Sequence, residues 1–253
     1  MRLREELDFL ALPPERQANV DVVASAYASM LGDKAYLTMP VTTGRLLYDV
    51  LDAYGVKSIA ELESFRPGAL REEIILPNIE GSLNHAKAVA SRTGLPLVVP
   101  GVFEARKQRW TQVEYMVLWL RFITTSVAEL HLCRDWEYSN GGAIEFTRAI
   151  LIRHRCVESR DGPMRVYDHA GDQVDIVQGA ARLRAAITDL KRRGHDVSVL
   201  VRELGRIGGF AASLAFGDSR QYRFHTSIAG PINEISVIAD AMAVGADLHF
   251  NLA

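Results

Sequence analysis

One ten-residue stretch concentrates reactive groups in this 253-residue chain: Trp136-Glu137-Tyr138-Ser139-Asn140-Gly141-Gly142-Ala143-Ile144-Glu145. Ser139 brings a hydroxyl, Gly141 and Gly142 leave backbone N–H groups open to close approach, and Glu145 follows as a carboxylate. Where such a turn opens a helix, its exposed N–H groups and the positive end of the helix dipole make a seat for an anion. A carboxylate in the first helical turn stays ionised for the same reason. Beside a bound phosphate, it is suited to attack an electrophilic carbon. The same residues also read as a helix cap closed by a first-turn Glu, and local spacing alone favours that reading.

Two further segments carry suitable groups. Tyr36-Leu37-Thr38-Met39-Pro40-Val41-Thr42-Thr43-Gly44-Arg45 offers a phenol to orient a carboxylate on a neighbouring strand end, and Gly44 with Arg45 to hold a phosphate. Taken alone, it also reads as a core aromatic on a strand followed by a capped helix. Glu114 lies near the N-terminal end of a long helical stretch. Two carboxylates facing one pocket can divide nucleophilic and proton-handling work when their surroundings separate their pKa values. By itself, Glu114 reads as a solvated helix residue.

The elements that must carry these groups alternate along the chain. A helix is expected over 16–31 after Pro13-Pro14, then a short strand over 35–40 and a helix over 45–54. Another helix over 82–93, closed by Gly94, leads to a Val- and Leu-rich strand over 95–100. A long helix over 108–126, a strand over 127–133, a turn-rich loop over 135–142 and a helix over 144–155 complete the alternation. This predicts an α/β fold: a mostly parallel sheet flanked by helices, Rossmann-like and doubly wound. Beyond residue 159, a β-hairpin is expected around Ala170-Gly171-Asp172, with strands at 165–168 and 174–177. A helix over 178–193 and a mainly helical, small-residue-rich extension follow. The expected organisation is an N-terminal helical segment (1–34), the α/β domain (35–158) and a hairpin plus helical extension (159–253), with oligomerisation as its expected role.

Composition narrows the function classes. With 29 Lys+Arg against 31 Asp+Glu, the chain lacks the basic bias of a protein that coats polymeric nucleic acid. At 48% hydrophobic residues it can build its own core. Cys133 and Cys156 are too few for a disulfide framework, and the seven histidines form no HExxH or paired-ligand pattern, so no metal or other cofactor is expected. Gly205-Arg206-Ile207-Gly208-Gly209 does not follow a strand and makes a poor dinucleotide fingerprint. No signal-peptide core or apolar run of about 18–20 residues is present, which points to a soluble, cytoplasmic protein.

The order and spacing of these segments resemble the nucleoside 2-deoxyribosyltransferase-like superfamily, which includes deoxyribosyltransferases and nucleoside 5′-monophosphate N-glycosidases. Tyr36, Val41, Gly44 and Arg45 resemble its first strand and loop, and Asn84, Ala88, Gly94 and Pro100 its next helix and strand. Glu114-Tyr115-Met116 is similar to its Asp-x-Met, and Trp136, Ser139, Gly141 and Glu145 meet its Trp-x-x-Ser-x-Gly-x-x-x-Glu segment in full. The resemblance covers residues 35–152. It implies that Glu145 is the nucleophile at C1′ of a sugar, that Tyr36 positions it, and that Ser139 and Gly141 cradle a 5′-phosphate. Glu114 takes the place of the acid that assists departure of the base. Two departures stand out: Glu114 is one methylene longer than the usual Asp, and Met39-Pro40 replaces a small pair. The implied activity is hydrolysis of the N-glycosidic bond of a nucleoside 5′-monophosphate, with base exchange or non-catalytic nucleotide binding as alternatives. The resemblance further implies a homodimer or larger homo-oligomer.

Overall fold

The computed structural model describes residues 12–28, 33–101, 110–153 and 164–215. Strand β1 (Lys34–Thr38) is buried along its whole length, as its apolar run demands of a central strand. Helix α1 (Pro14–Ala28) precedes it, and α2 (Arg45–Tyr54), closed by the left-handed Gly55, follows it. Next come α3 (Ile59–Phe65), capped by Ser58, and a π-helical turn (Leu70–Ile75) that runs straight into α4 (Leu76–Thr93). Gly94 at φ 63° ends α4, and β2 (Leu97–Val98) is only two residues long. Helix α5 (Gln112–Ser126) leads directly into β3 (Val127–Leu132). A 3₁₀ turn (Trp136–Tyr138) opens α6 (Asn140–Arg153), and β4 (Arg165–Tyr167), α7 (Ile176–Arg192) and α8 (Ser198–Ala215) complete the described chain.

The four strands form one all-parallel sheet in the order β2-β1-β3-β4. Helices cover both faces. On one, Ala86 and Val89 of α4 pack with Leu37, Met39 and Cys133. On the other, Tyr36, Leu130 and Leu132 join the larger core with Trp119, Phe122 and Phe146 from α5 and α6. The fold is therefore α/β and Rossmann-like, with a helical extension. From β1 the chain moves outward to β2 and then returns to the opposite side of β1 as β3. Such a reversal opens a crevice beyond the C-terminal ends of the two diverging strands, where ligands bind in open α/β sheets.

Several sequence expectations change. The hairpin near Gly171 is reduced to one antiparallel bridge between Tyr167 and Gln173, plus a bond from the Val174 N–H to the Val166 carbonyl. Residues 165–167 instead extend the parallel sheet along β3. The Asp168 carboxylate gathers the N–H groups of Ala170, Gly171 and Asp172 into a tight turn, and Asp175 with Gln178 forms a capping box. Ile176 and Val177 thus enter a helix, not a strand. The sheet and its core continue past residue 158, with Leu183, Leu190, Leu200 and Leu204 of α7 and α8 packing into the same cluster as Phe146. Helix α4 starts six residues earlier than the sequence suggested, because the π-helical turn continues directly into it through helical Ile75 and Leu76. The expected apolar segment after residue 215 lies outside the described residues. The Gly205–Gly209 segment lies within α8.

Candidate active site

The crevice between β1 and β3 is where the reactive residues meet. Tyr36, at the middle of β1, is fully buried, with its ring set against Trp119 and Phe122 at centroid distances of 6.1 and 6.3 Å. Packing on that scale contributes about 1.5–3 kcal/mol and fixes the ring's direction. Its hydroxyl donates to Glu145 Oε1 at 2.6 Å, joining residues 109 positions apart. Glu145 is itself buried, at 5% exposure. Helix α6 begins at Asn140, so Glu145 stands in its second turn rather than its first. The helix dipole falls off within one turn. The phenol of Tyr36, not the helix terminus, is therefore the evident partner that orients this carboxylate.

Ser139 sits between β3 and α6 and is buried. Its Oγ accepts from the Gly142 N–H at 3.2 Å and lies 3.1 Å from Thr43 Oγ1, and its carbonyl accepts from Ala143. The loops after β1 and β3 are thus tied hydroxyl to hydroxyl across the crevice. Gly142 is required by packing, because a Cβ there would stand 2.6 Å from the Trp136 carbonyl oxygen. At Gly141 a Cβ would meet Met116 Cε at 3.5 Å and Ser139 Oγ at 3.8 Å, both ordinary contacts, so its neighbours leave room there. Gly44 adopts φ 113°, a left-handed conformation open to glycine, and a Cβ there would lie 2.8 Å from Pro40. Arg45 is exposed at the mouth, 3.9 Å from both Asp49 and Asp135 and over the Tyr138 ring at 5.4 Å.

Glu114 is engaged at the start of its own helix. It forms a capping box at the start of α5, taking the Thr111 N–H at 2.6 Å and the Thr111 hydroxyl at 2.8 Å on Oε2. Its Oε1 accepts from Arg16 of α1 at 2.9 Å. The Thr111 N–H, aided by the hydroxyl and the guanidinium, holds the carboxyl below its ordinary range against the opposing effect of burial. The solvated-helix reading fails too, since Glu114 is 1% exposed. It is Met116, one half-turn on, that reaches α6, at Gly141.

Four contributors escaped the sequence reading. Asn78 on α4 donates to the carbonyls of Val41 and Thr43, at 3.1 and 3.4 Å, and so holds the loop after β1. Thr43 supplies the hydroxyl facing Ser139. Thr38, on the same face of β1 as Tyr36, has a buried Oγ1 with no hydrogen-bond partner. Cys133 lies 3.8 Å from Ser82 Oγ, and burial, with the nearby Glu145 charge adding, pushes its thiol up to about 12. The unusual π turn before α4 was the one detectable hint of Asn78, since such turns often accompany functional sites, but it is not legible without the backbone. Among the described residues, no group of three or more His, Cys, Asp or Glu side chains is placed to hold a metal ion, and no helix is long and apolar enough to cross a membrane.

In chemical terms, the crevice offers an oriented carboxylate at its floor, a hydroxyl-lined turn at a helix start, and an arginine at its rim. Compared with known proteins, the chain matches no family model, no curated protein and no solved structure.

Proposed function

We propose that the protein hydrolyses the N-glycosidic bond of a nucleoside 5′-monophosphate, releasing free base and a (deoxy)ribose 5-phosphate. The observation that carries this reading is the 2.6 Å bond from Tyr36 to Glu145 at the sheet's reversal point. A carboxylate oriented by a buried phenol presents a fixed geometry to C1′. The sugar–base bond breaks through an oxocarbenium-like state, and a Glu145 oxygen bonds to C1′ as the base leaves with the bonding electrons and takes up a proton. Water then attacks C1′, frees the carboxylate and delivers its hydroxyl to the sugar. In this scheme Ser139 and the N–H groups of Asn140 and Gly141 at the start of α6 take the 5′-phosphate, with Arg45 at the mouth of the crevice adding positive charge. A second base in place of water would give transfer instead.

A non-catalytic, nucleotide-binding reading is favoured by one observation. The acid assigned by resemblance to help the base leave, Glu114, is committed to Thr111 and Arg16. The experiment that separates these readings is chromatography of free base released from a panel of ribo- and deoxyribonucleoside monophosphates, with and without an acceptor base. Release that disappears in Glu145→Gln supports the hydrolase. Release only with an acceptor favours the transferase. No release from any nucleotide, alongside measurable nucleotide binding, moves the assignment to a sensor.

A further inference from the structure

Along α4, Leu76, Leu83 and Ala90 recur every seven residues, two helical turns apart. They stand away from the face that packs on the sheet through Ser82, Ala86 and Val89. Leu76 is 47% exposed and Leu83 37%, which is unusual for a repeating leucine position. Ile79, Ala86 and Leu97 of β2 flank the row, forming a groove of roughly 760 Å³. Glu80 and Lys87, also seven apart, are exposed beside it, and neither has an ion-pair partner among the described residues.

We propose that this face of α4 is the contact between two copies of the chain, related by a two-fold axis through Leu83. A seven-residue apolar row is the pattern with which one helix lies along another. The charges select the direction. In a parallel pair, the two-fold would set the side carrying Glu80 and Lys87 against the partner's Ile79 and Ala86, leaving both charges unpaired. In the antiparallel pair, Glu80 meets the partner's Lys87, and the symmetry repeats that contact once more. The same axis sets Leu76 against the partner's Ala90, a large side chain against a small one, and Leu83 against its own copy. The row is thus complementary to itself in shape and charge. The proposal stands apart from the reading of Glu145, because none of these residues belongs to the crevice.

The test is sedimentation of the full chain and four variants over a range of concentrations. The wild type is expected to be a dimer and Leu83→Glu a monomer, because the axis brings the two new carboxylates face to face. Glu80→Lys and Lys87→Glu are each expected to raise the dimer Kd about tenfold, and the double variant E80K/K87E to return it to within about threefold of the wild type. All three positions are exposed, so circular dichroism and thermal melting should match the wild type in each variant. A monomeric wild type overturns the proposal and leaves the groove to a helix from another protein. A dimer indifferent to Leu83→Glu, or a double variant no tighter than the singles, overturns it as well.

Discussion

Two buried carboxylates, each in the N-terminal half of a helix, meet different fates in this molecule. Glu114 at the start of α5 and Glu145 in α6 are 1% and 5% exposed, so burial does not distinguish them. Their partners do. Glu114 is saturated locally by Thr111, three residues away, and pinned by Arg16, which fastens α1 to α5. Glu145 is oriented by a phenol from the central strand, in the crevice where the sheet reverses. A carboxylate engaged on both oxygens by a capping box and a guanidinium is an architectural device. One reached across the sheet by a strand residue, at the edge where α/β proteins bind ligands, is the group on which the proposed reaction rests.

The largest expected effect separates the two. Glu145→Gln should lower base release by at least about 10³-fold while circular dichroism stays unchanged, since the amide oxygen can still accept from Tyr36. Tyr36→Phe should cost about 10- to 100-fold in kcat with KM little altered, the worth of one hydrogen bond to a charged group. Steady-state kinetics on the pair would show whether the phenol acts through the carboxylate. Glu114→Gln should instead lower unfolding free energy by about 1–3 kcal/mol, measured in denaturant, and leave turnover within about threefold. A hundredfold fall in kcat with loss of the alkaline limb of the pH profile would return Glu114 to the reaction.

Smaller effects test the surroundings. His131 and His85 have their pKa values lowered below 6.5, chiefly by burial. The unfolded chain therefore binds protons that the folded chain resists. The stabilisation is complete above the ordinary value of 6.5 and is lost as pH falls below it, so melting temperature should decline from about pH 7 to pH 5. His131→Asn should flatten that slope. Cys133, with its thiol pushed up to about 12, should resist iodoacetamide in the native protein at pH 8 and react once unfolded. Peptide mapping of the alkylated residue reads this directly.

Much of the sheet was legible because its signals are local. The buried runs of β1 and β3 and the glycine stop at Gly94 are read from neighbouring residues alone. Helix 45–54 appears in the structure with the expected bounds. The Ser139–Glu145 segment was legible as a site candidate, and as a cap, and Ser139 does accept from the Gly142 N–H. The errors arose where two elements compete for the same residues. Residues 165–167 have hairpin chemistry around them, yet β3 offers them an open parallel edge. Glu114 carries a helix-start signature that is entirely local, and that signature, rather than its place in a motif, set its partners.

The sequence by itself determined the alternation of strands and helices, the caps, and the presence of a Ser-Gly-Gly turn followed by a carboxylate. These follow from backbone propensity and spacing within a few residues. Only the tertiary structure decided which strand lies between which, and hence where the crevice opens. It decided that Tyr36 reaches Glu145, that Asn78 and Thr43 frame the loop opposite Ser139, and that Glu114 turns to Arg16. Each of those contacts joins residues from about 35 to 109 positions apart, a distance at which no periodicity survives and only packing of the whole chain selects partners.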